Sequence, residues 1–134
     1  MLEGMSRDDR LINRAIGIAM TSKCRWRHGA LLAKGSRIIA WSPNILRNPS
    51  EIDYQGATWH AEIAALRELD RLTGATYGFG KASGLTVYIA RVNKAGEPRM
   101  SRPCVGCSDI LAYRGITTRI WTNELGGLSV EQLA

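Results

Sequence analysis

Long apolar runs are absent from this 134-residue chain. None approaches the roughly 20 consecutive apolar residues that a membrane helix needs. The first residues carry Glu3, Asp8, Asp9 and Arg14, which interrupt any signal-peptide stretch and are out of place in an acid-poor transit peptide. The expectation is a soluble cytoplasmic protein with no membrane partner. Cysteine is scarce and odd in number, at three. Two of the three, Cys104 and Cys107, form a C-x-x-C, so metal or redox chemistry is a better reading than a disulfide framework. There is no internal repeat, linker or low-complexity segment, and the glycine-bearing stretch from Thr73 to Gly84 lacks the spacing of a phosphate-binding loop. A length of 134 residues with 45% hydrophobic and 22% charged side chains suits one domain, residues 1–134, with a single core.

Charge of one sign is in excess. The net charge of +6 favours an anionic partner such as a nucleotide or a nucleic acid, although it is equally compatible with a well-solvated basic surface.

Apolar spacing predicts a first helix over Arg10–Thr21, with Leu11, Ile12, Ala15, Ile16 and Ala19 on one face. Ala30–Lys34 and Arg37–Trp41 read as a β-hairpin turning at Gly35. An irregular stretch from Ser42 to Trp59 follows, of a length usually associated with function or disorder. A second helix is expected from about Trp59 to Leu72, ended by Gly74. Leu85–Val92 reads as a strand, Asn93–Arg102 as a basic loop, Cys104–Arg114 as a third helix and Ile116–Thr122 as a strand. Leu128–Leu133 is expected to be a short terminal helix. Helices alternating with strands in this order predict an α/β domain, its helices covering a mixed sheet.

The residues with the most chemistry are His60-Ala61-Glu62 and, far downstream, Pro103-Cys104-Val105-Gly106-Cys107. Zinc takes nitrogen and sulfur donors tetrahedrally, and a catalytic site uses three protein ligands with the fourth position open. His60, Cys104 and Cys107 supply three donors. Cys104 and Cys107 share a helix face at a spacing of three, and Pro103 suits a helix start. His60 and Glu62 pose a geometric condition, because two helical residues lie about 200° apart. Both reach one site only if it sits over a helix end. The metal is therefore expected at the N-termini of two helices, whose partial positive charge favours thiolates. Glu62 would move protons without touching the metal. A rival closed site of Cys24, His28, Cys104 and Cys107 would be structural and would have no use for Glu62.

With its His-x-Glu and Pro-Cys-x-x-Cys, the chain resembles the zinc-dependent nucleobase deaminases of the cytidine deaminase superfamily, from Arg10 to about Thr122. Arg27-His28-Gly29-Ala30-Leu31-Leu32 and Arg37-Ile38-Ile39-Ala40 resemble the hairpin of that superfamily. Ser42-Pro43-Asn44 falls where its deoxycytidylate and tRNA adenosine deaminase branches place a sugar-contacting asparagine. The resemblance implies a three-layer α/β/α sandwich with a mixed sheet of four to five strands, Zn2+ held by His60, Cys104 and Cys107, Glu62 as the catalytic carboxylate, and Asn44, Ala61 and Arg102 at the substrate. Alternatively Asn44 simply forms a turn beside Pro43. The implied activity is hydrolytic deamination of a cytosine nucleotide or nucleoside, deoxycytidylate first. Alternatives are cytosine in single-stranded nucleic acid, adenosine in tRNA or, in another class, a non-catalytic nucleic-acid-binding domain with a structural zinc. Arg99, Arg25, Arg27 and Arg47 are further phosphate-binding candidates, and Trp59 and Tyr54 are candidates for stacking on a base.

The resemblance also implies a fifth strand reached through another helix, for which too little chain follows Thr122. A missing or shortened fifth strand would leave a sheet edge for a second subunit to cover. A homo-oligomer is therefore expected, to be checked by light scattering at working concentration; a monomeric mass would contradict it.

Overall fold

Ser6 starts the first helix, α1 (Arg7–Met20), three residues before the expected start at Arg10. Its hydroxyl oxygen accepts a hydrogen bond from the Asp9 backbone N–H at 3.0 Å and its O–H donates to the Asp9 carboxylate at 2.9 Å. This reciprocal cap, with Asp8 and Asp9 against the positive helix end, extends the helix past the apolar periodicity.

The computed structural model describes residues 5–46, 58–74 and 82–133. After α1 come β1 (Arg27–Lys34), β2 (Arg37–Pro43), β3 (Ile45–Leu46), β4 (Thr58–Trp59), α2 (Ala61–Thr73), β5 (Thr86–Val92), β6 (Pro98–Arg99), α3 (Val105–Tyr113), β7 (Thr118–Thr122) and β8 (Leu128–Gln132). The main sheet has the order β2-β1-β5-β7-β8, with the two-residue β6 pairing with β5 off this path. Only β5 and β7 run parallel; the other neighbours are antiparallel. The β1–β2 hairpin turns through Gly35 at φ +62°, as expected.

Side chains alternate across the strands, and both faces are covered. Ala30, Leu32, Val87, Ile89 and Trp121 pack with Ala61, Ala65, Leu66, Leu69 and Leu111, the face of α2 and α3. Leu31, Ala33, Tyr88, Ala90 and Ile120 pack on the other face with Leu11, Ile12, Ala15 and Ile18 of α1. Burial on both faces is why β1 and β5 read as continuous apolar runs. The architecture is the expected three-layer α/β/α sandwich with a mixed sheet, which has six strands instead of four to five.

Several elements differ from expectation. The segment Leu128–Leu133 is not a helix: Leu128–Gln132 is β8, paired antiparallel with β7 through a turn at Asn123–Gly127. Asn123 stabilises that turn, its side-chain oxygen accepting the Leu125 and Gly127 backbone N–H groups. The fifth strand thus returns by a hairpin and needs no helix. The edge of β7 that was to await a second subunit is filled by the chain itself, which removes that ground for expecting an oligomer. Within the long irregular stretch, β3 and β4 form a separate two-stranded ladder. The intervening positions, including Arg47, Pro49, Tyr54 and Gly56, lie outside the described residues, as do the side chain of Trp59 and most of the glycine-bearing connector. Among the described residues no helix is long and apolar enough to cross a membrane.

Gly29 sets the approach of α1 to β1. A Cβ there would lie 2.4 Å from the Ala19 backbone nitrogen and 2.5 Å from the Ala15 carbonyl oxygen, and neither backbone atom can yield cheaply. Gly29→Ala should destabilise the fold at the upper end of the about 1–3 kcal/mol typical of overpacking. A thermal unfolding midpoint within a degree of wild type would show that α1 is not seated so closely.

Candidate metal and catalytic centre

Two helices begin at the candidate ligands. His60 is the N-cap of α2, with an extended backbone (φ −59°, ψ 147°), and its carbonyl accepts the first helical bond from Ala64 at 2.9 Å. Cys104 is the N-cap of α3, and its carbonyl accepts from Ser108 at 2.8 Å. Cys107 lies in the first turn of α3, its backbone N–H donating to Cys104 Sγ at 3.4 Å. The extended step at His60 lets its ring and the Glu62 side chain, in the first turn of the helix, meet over the helix end. The spacing of 60 and 62 required this arrangement.

His60 Nδ1 lies 3.1 Å from Cys107 Sγ and 3.6 Å from Cys104 Sγ. All three donor atoms fall within 4.8 Å of one another. Zinc–ligand lengths of about 2.0–2.3 Å in a tetrahedron place nitrogen and sulfur donors roughly 3.5 Å apart, so the set fits zinc. Among the described residues this is the one group of three or more His, Cys, Asp or Glu side chains close enough to share an ion. The rival set is not assembled: Cys24 is buried elsewhere, its thiol donating to the Asn44 carbonyl at 3.5 Å.

The electrostatics point to the same ion. Glu62 is 4% exposed. Burial raises its carboxyl above the usual range, against its own backbone N–H, His60 and the Cys107 thiol, all of which favour the carboxylate. Burial also pushes the Cys107 thiol far up, reinforced by the Glu62 charge and by Cys104. Burial thus opposes the Cys107 thiolate that the helix N-terminus favours. A cation among these acids removes the penalty.

The remaining predicted residues are placed as follows. Ala61 is fully buried, its methyl within the core cluster. Asn44 is buried, its side-chain oxygen accepting from Ser22 Oγ at 2.6 Å and the His28 N–H at 3.0 Å, and its amide donating to the Trp26 carbonyl at 2.6 Å. Three of its four hydrogen-bonding positions thus hold the α1–β1 connection. Arg102 is exposed, its guanidinium carbon 5.7 Å from the Trp121 ring centre and one nitrogen 3.6 Å from Glu131. It borders a cleft of about 400 Å3 with Cys104, Ser108, Arg119 and Glu131.

Other residues shape the centre without announcing themselves in the sequence. Buried Ser101 donates to the Ile89 carbonyl at 2.9 Å, lies 2.8 Å from Thr122 Oγ1 and accepts the Thr122 N–H at 3.0 Å. It fastens the segment entering Pro103-Cys104 to the ends of β5 and β7. Buried Arg119 holds Ser108, one turn from Cys104, through its hydroxyl and its carbonyl. Buried Arg114 at the end of α3 grips Asp70 of α2 with two bonds, 2.6 and 3.2 Å. His28 stands beside the centre. Burial lowers its pKa, with Arg91 and His60 acting the same way against the Trp26 carbonyl, so its ring is neutral near pH 7. No local signal marks these residues, because each acts on a partner distant in the chain.

No protein-family model matches the sequence, and no curated protein matches it. Solved structures do. The dCMP deaminase from the cyanophage S-TIM5, in apo form, is 21% identical with a TM-score of 0.62, over 87% of this chain and 82% of that one. The same enzyme in complex with dCMP and dUMP is 19% identical with a TM-score of 0.62, over 87% and 80%. The diaminohydroxyphosphoribosylaminopyrimidine deaminase/5-amino-6-(5-phosphoribosylamino)uracil reductase from Thermotoga maritima is 22% identical with a TM-score of 0.52, over 86% of this chain and 29% of that longer one. The likeness is one of fold, and the fold is that of the cytidine deaminase superfamily, as the motif resemblance implied.

Cys104→Ala or Cys107→Ala should reduce bound zinc from about one per chain to near zero and lower stability together, since metal binding and folding are coupled. Atomic absorption with thermal unfolding checks both. A full complement of zinc in either variant would contradict the ligand set.

Proposed function

We propose that this chain is a zinc-dependent hydrolytic deaminase that converts a cytosine nucleotide or nucleoside, deoxycytidylate foremost, to its uracil form with release of ammonia. The observation that carries this reading is the meeting of His60, Cys104 and Cys107 with the buried carboxylate of Glu62 at the starts of two helices. Three protein donors leave a fourth position open, as a catalytic site requires and a closed structural site does not. Glu62 has no role in merely holding a metal.

Zinc held by His60 Nδ1 and the two cysteine sulfurs would lower the pKa of a coordinated water toward neutrality. Glu62 accepts a proton from the attacking water. Because Glu62 is cut off from bulk solvent, it keeps that proton and delivers it to the leaving amino group, acting first as base and then as acid. Overall, water adds at the ring carbon bearing the amino group, the C–N bond breaks, ammonia leaves and a carbonyl remains. The bound nucleotides of the cyanophage dCMP deaminase, whose fold this chain shares, and the net charge of +6 support an anionic nucleotide substrate.

Zinc-loaded protein should release uracil-containing product from deoxycytidine monophosphate in a panel that also holds cytidine, deoxycytidine, single-stranded DNA, RNA and tRNA. Glu62→Gln should keep its zinc and lose about a hundred- to ten-thousand-fold in rate. Product from single strands or inosine from tRNA would move the substrate to nucleic acid. No product from any member would favour a binding domain with a structural metal.

A further inference from the structure

One group of charges beside the centre has no internal use. Arg91, near the end of β5, lies opposite His28 of β1 on one side and opposite Arg99 of β6 on the other. Opposed residues share a sheet face. Val87 and Ile89, which precede Arg91 in the same alternation, face α2 and α3, so this row of three lies on the face that carries His60, Cys104 and Cys107. The guanidinium carbon of Arg91 is 5.1 Å from the ring centre of Trp26, and that of Arg25 is 5.3 Å from it. Trp26 is 57% exposed.

Two like charges at opposed strand positions repel. Arg99 is relieved by Glu97 at 3.4 Å. Among the described residues neither Arg25 nor Arg91 is paired with a carboxylate, and the Arg91 Nε is buried without a hydrogen-bond partner. Stacking on Trp26 orients the two guanidiniums and leaves their N–H edges uncommitted. A preoriented guanidinium fork with spare donors suits a phosphate group, which it can meet with two parallel bonds. His28, opposite Arg91 across the strands, lies within the electrostatic reach of both Arg91 and His60, so the cluster neighbours the metal-ligand candidates.

We infer that Arg91, with Arg25 and Trp26, forms a subsite for the phosphate ester of the substrate, placed so that the base it carries reaches the metal centre. This rests on the deaminase reading for the base half of the ligand; the phosphate half stands on the arginine cluster itself. One phosphate chemistry has two sources, a free nucleoside monophosphate or the phosphodiester of a single strand.

Calorimetric titration of zinc-loaded E62Q protein with deoxycytidine, deoxycytidine monophosphate, inorganic phosphate and a five-residue thymidine strand tests the subsite. The monophosphate should bind at least about tenfold more tightly than the nucleoside, and added salt should narrow the gap. Arg91→Met, which keeps the aliphatic stem against Trp26, should abolish the preference, while Arg37→Met at the far hairpin turn should leave it intact. If R91M does not fold, the exposed pair R25M and W26F should weaken the monophosphate and spare the nucleoside. A strand that binds more tightly than the monophosphate, with a steeper salt dependence and the same loss in R91M, supports the subsite with phosphodiester as the source. Equal affinity for nucleoside and monophosphate in the parent protein, or an undiminished preference in folded R91M, overturns the inference. Phosphate binding that depends on Arg91 in a protein that deaminates nothing would instead overturn the deaminase reading and leave the subsite standing.

Discussion

Cys104, Cys107 and Glu62 are all acids; Cys104 and Cys107 cluster with His60, Glu62 meets Cys107, and Glu62 and Cys107 are almost removed from water. Burial opposes ionisation of Glu62 and of Cys107, and the charge of Glu62 adds to the opposition at Cys107. Such a cluster is unfavourable unless positive charge stands among the side chains. Two helix N-termini provide a fraction of it, and the donor set of His60, Cys104 and Cys107 accommodates an ion that provides the rest. Helices α2 and α3 start at the same point, which brings His60, Cys104 and Cys107 close enough to share an ion.

Holding two helix starts together falls to the sheet and to a few buried polar groups. The parallel pair β5 and β7 lies beneath α2 and α3, and Ser101 with Thr122 fixes the entry to α3 across the ends of those strands. At the other end of the helices, Arg114 and Asp70 close the pair. Such a buried ion pair is costly to break, because removing one partner strands the other charge. Arg119 carries the restraint outward: it grips Ser108 in α3 and lies 3.6 Å from Glu131 on β8, so the last strand also bears on the helix that begins at Cys104. Asn44 does the equivalent work at the α1–β1 connection, where its side chain sets the path of the backbone from Ser22 to His28.

The ligand set was legible because zinc chemistry is local: donor type and short spacing carry it, and the separation of His60 from Glu62 already demanded a helix end. The layers were legible from periodicity, since Leu31 and Leu32 alternate between two helical faces and leave an apolar run. Helix α1 starts earlier than its stripe because a cap, not burial, begins it. The terminal segment was misread because Leu128, Val130 and Leu133 do not distinguish a short helix from an edge strand. Pairing of Leu128–Gln132 with β7 settles it, and that pairing depends on the turn that Asn123 organises.

By itself the sequence determined which side chains could serve as donors, which carboxylate lies beside them, and the alternation of apolar faces that gives helices on both sides of a sheet. These follow from side-chain chemistry and from spacings of a few residues, which survive in any compact arrangement. Tertiary structure alone decided what each dispersed polar residue does. It committed most of Asn44 to the backbone, put Arg119 and Arg114 in the interior with partners, and left Arg91 and Arg25 beside Trp26 with no carboxylate partner among the described residues. Whether an arginine is a strut or a free cation depends on which acid or carbonyl lies within a few ångströms, and those partners come from strands and helices far apart in the chain.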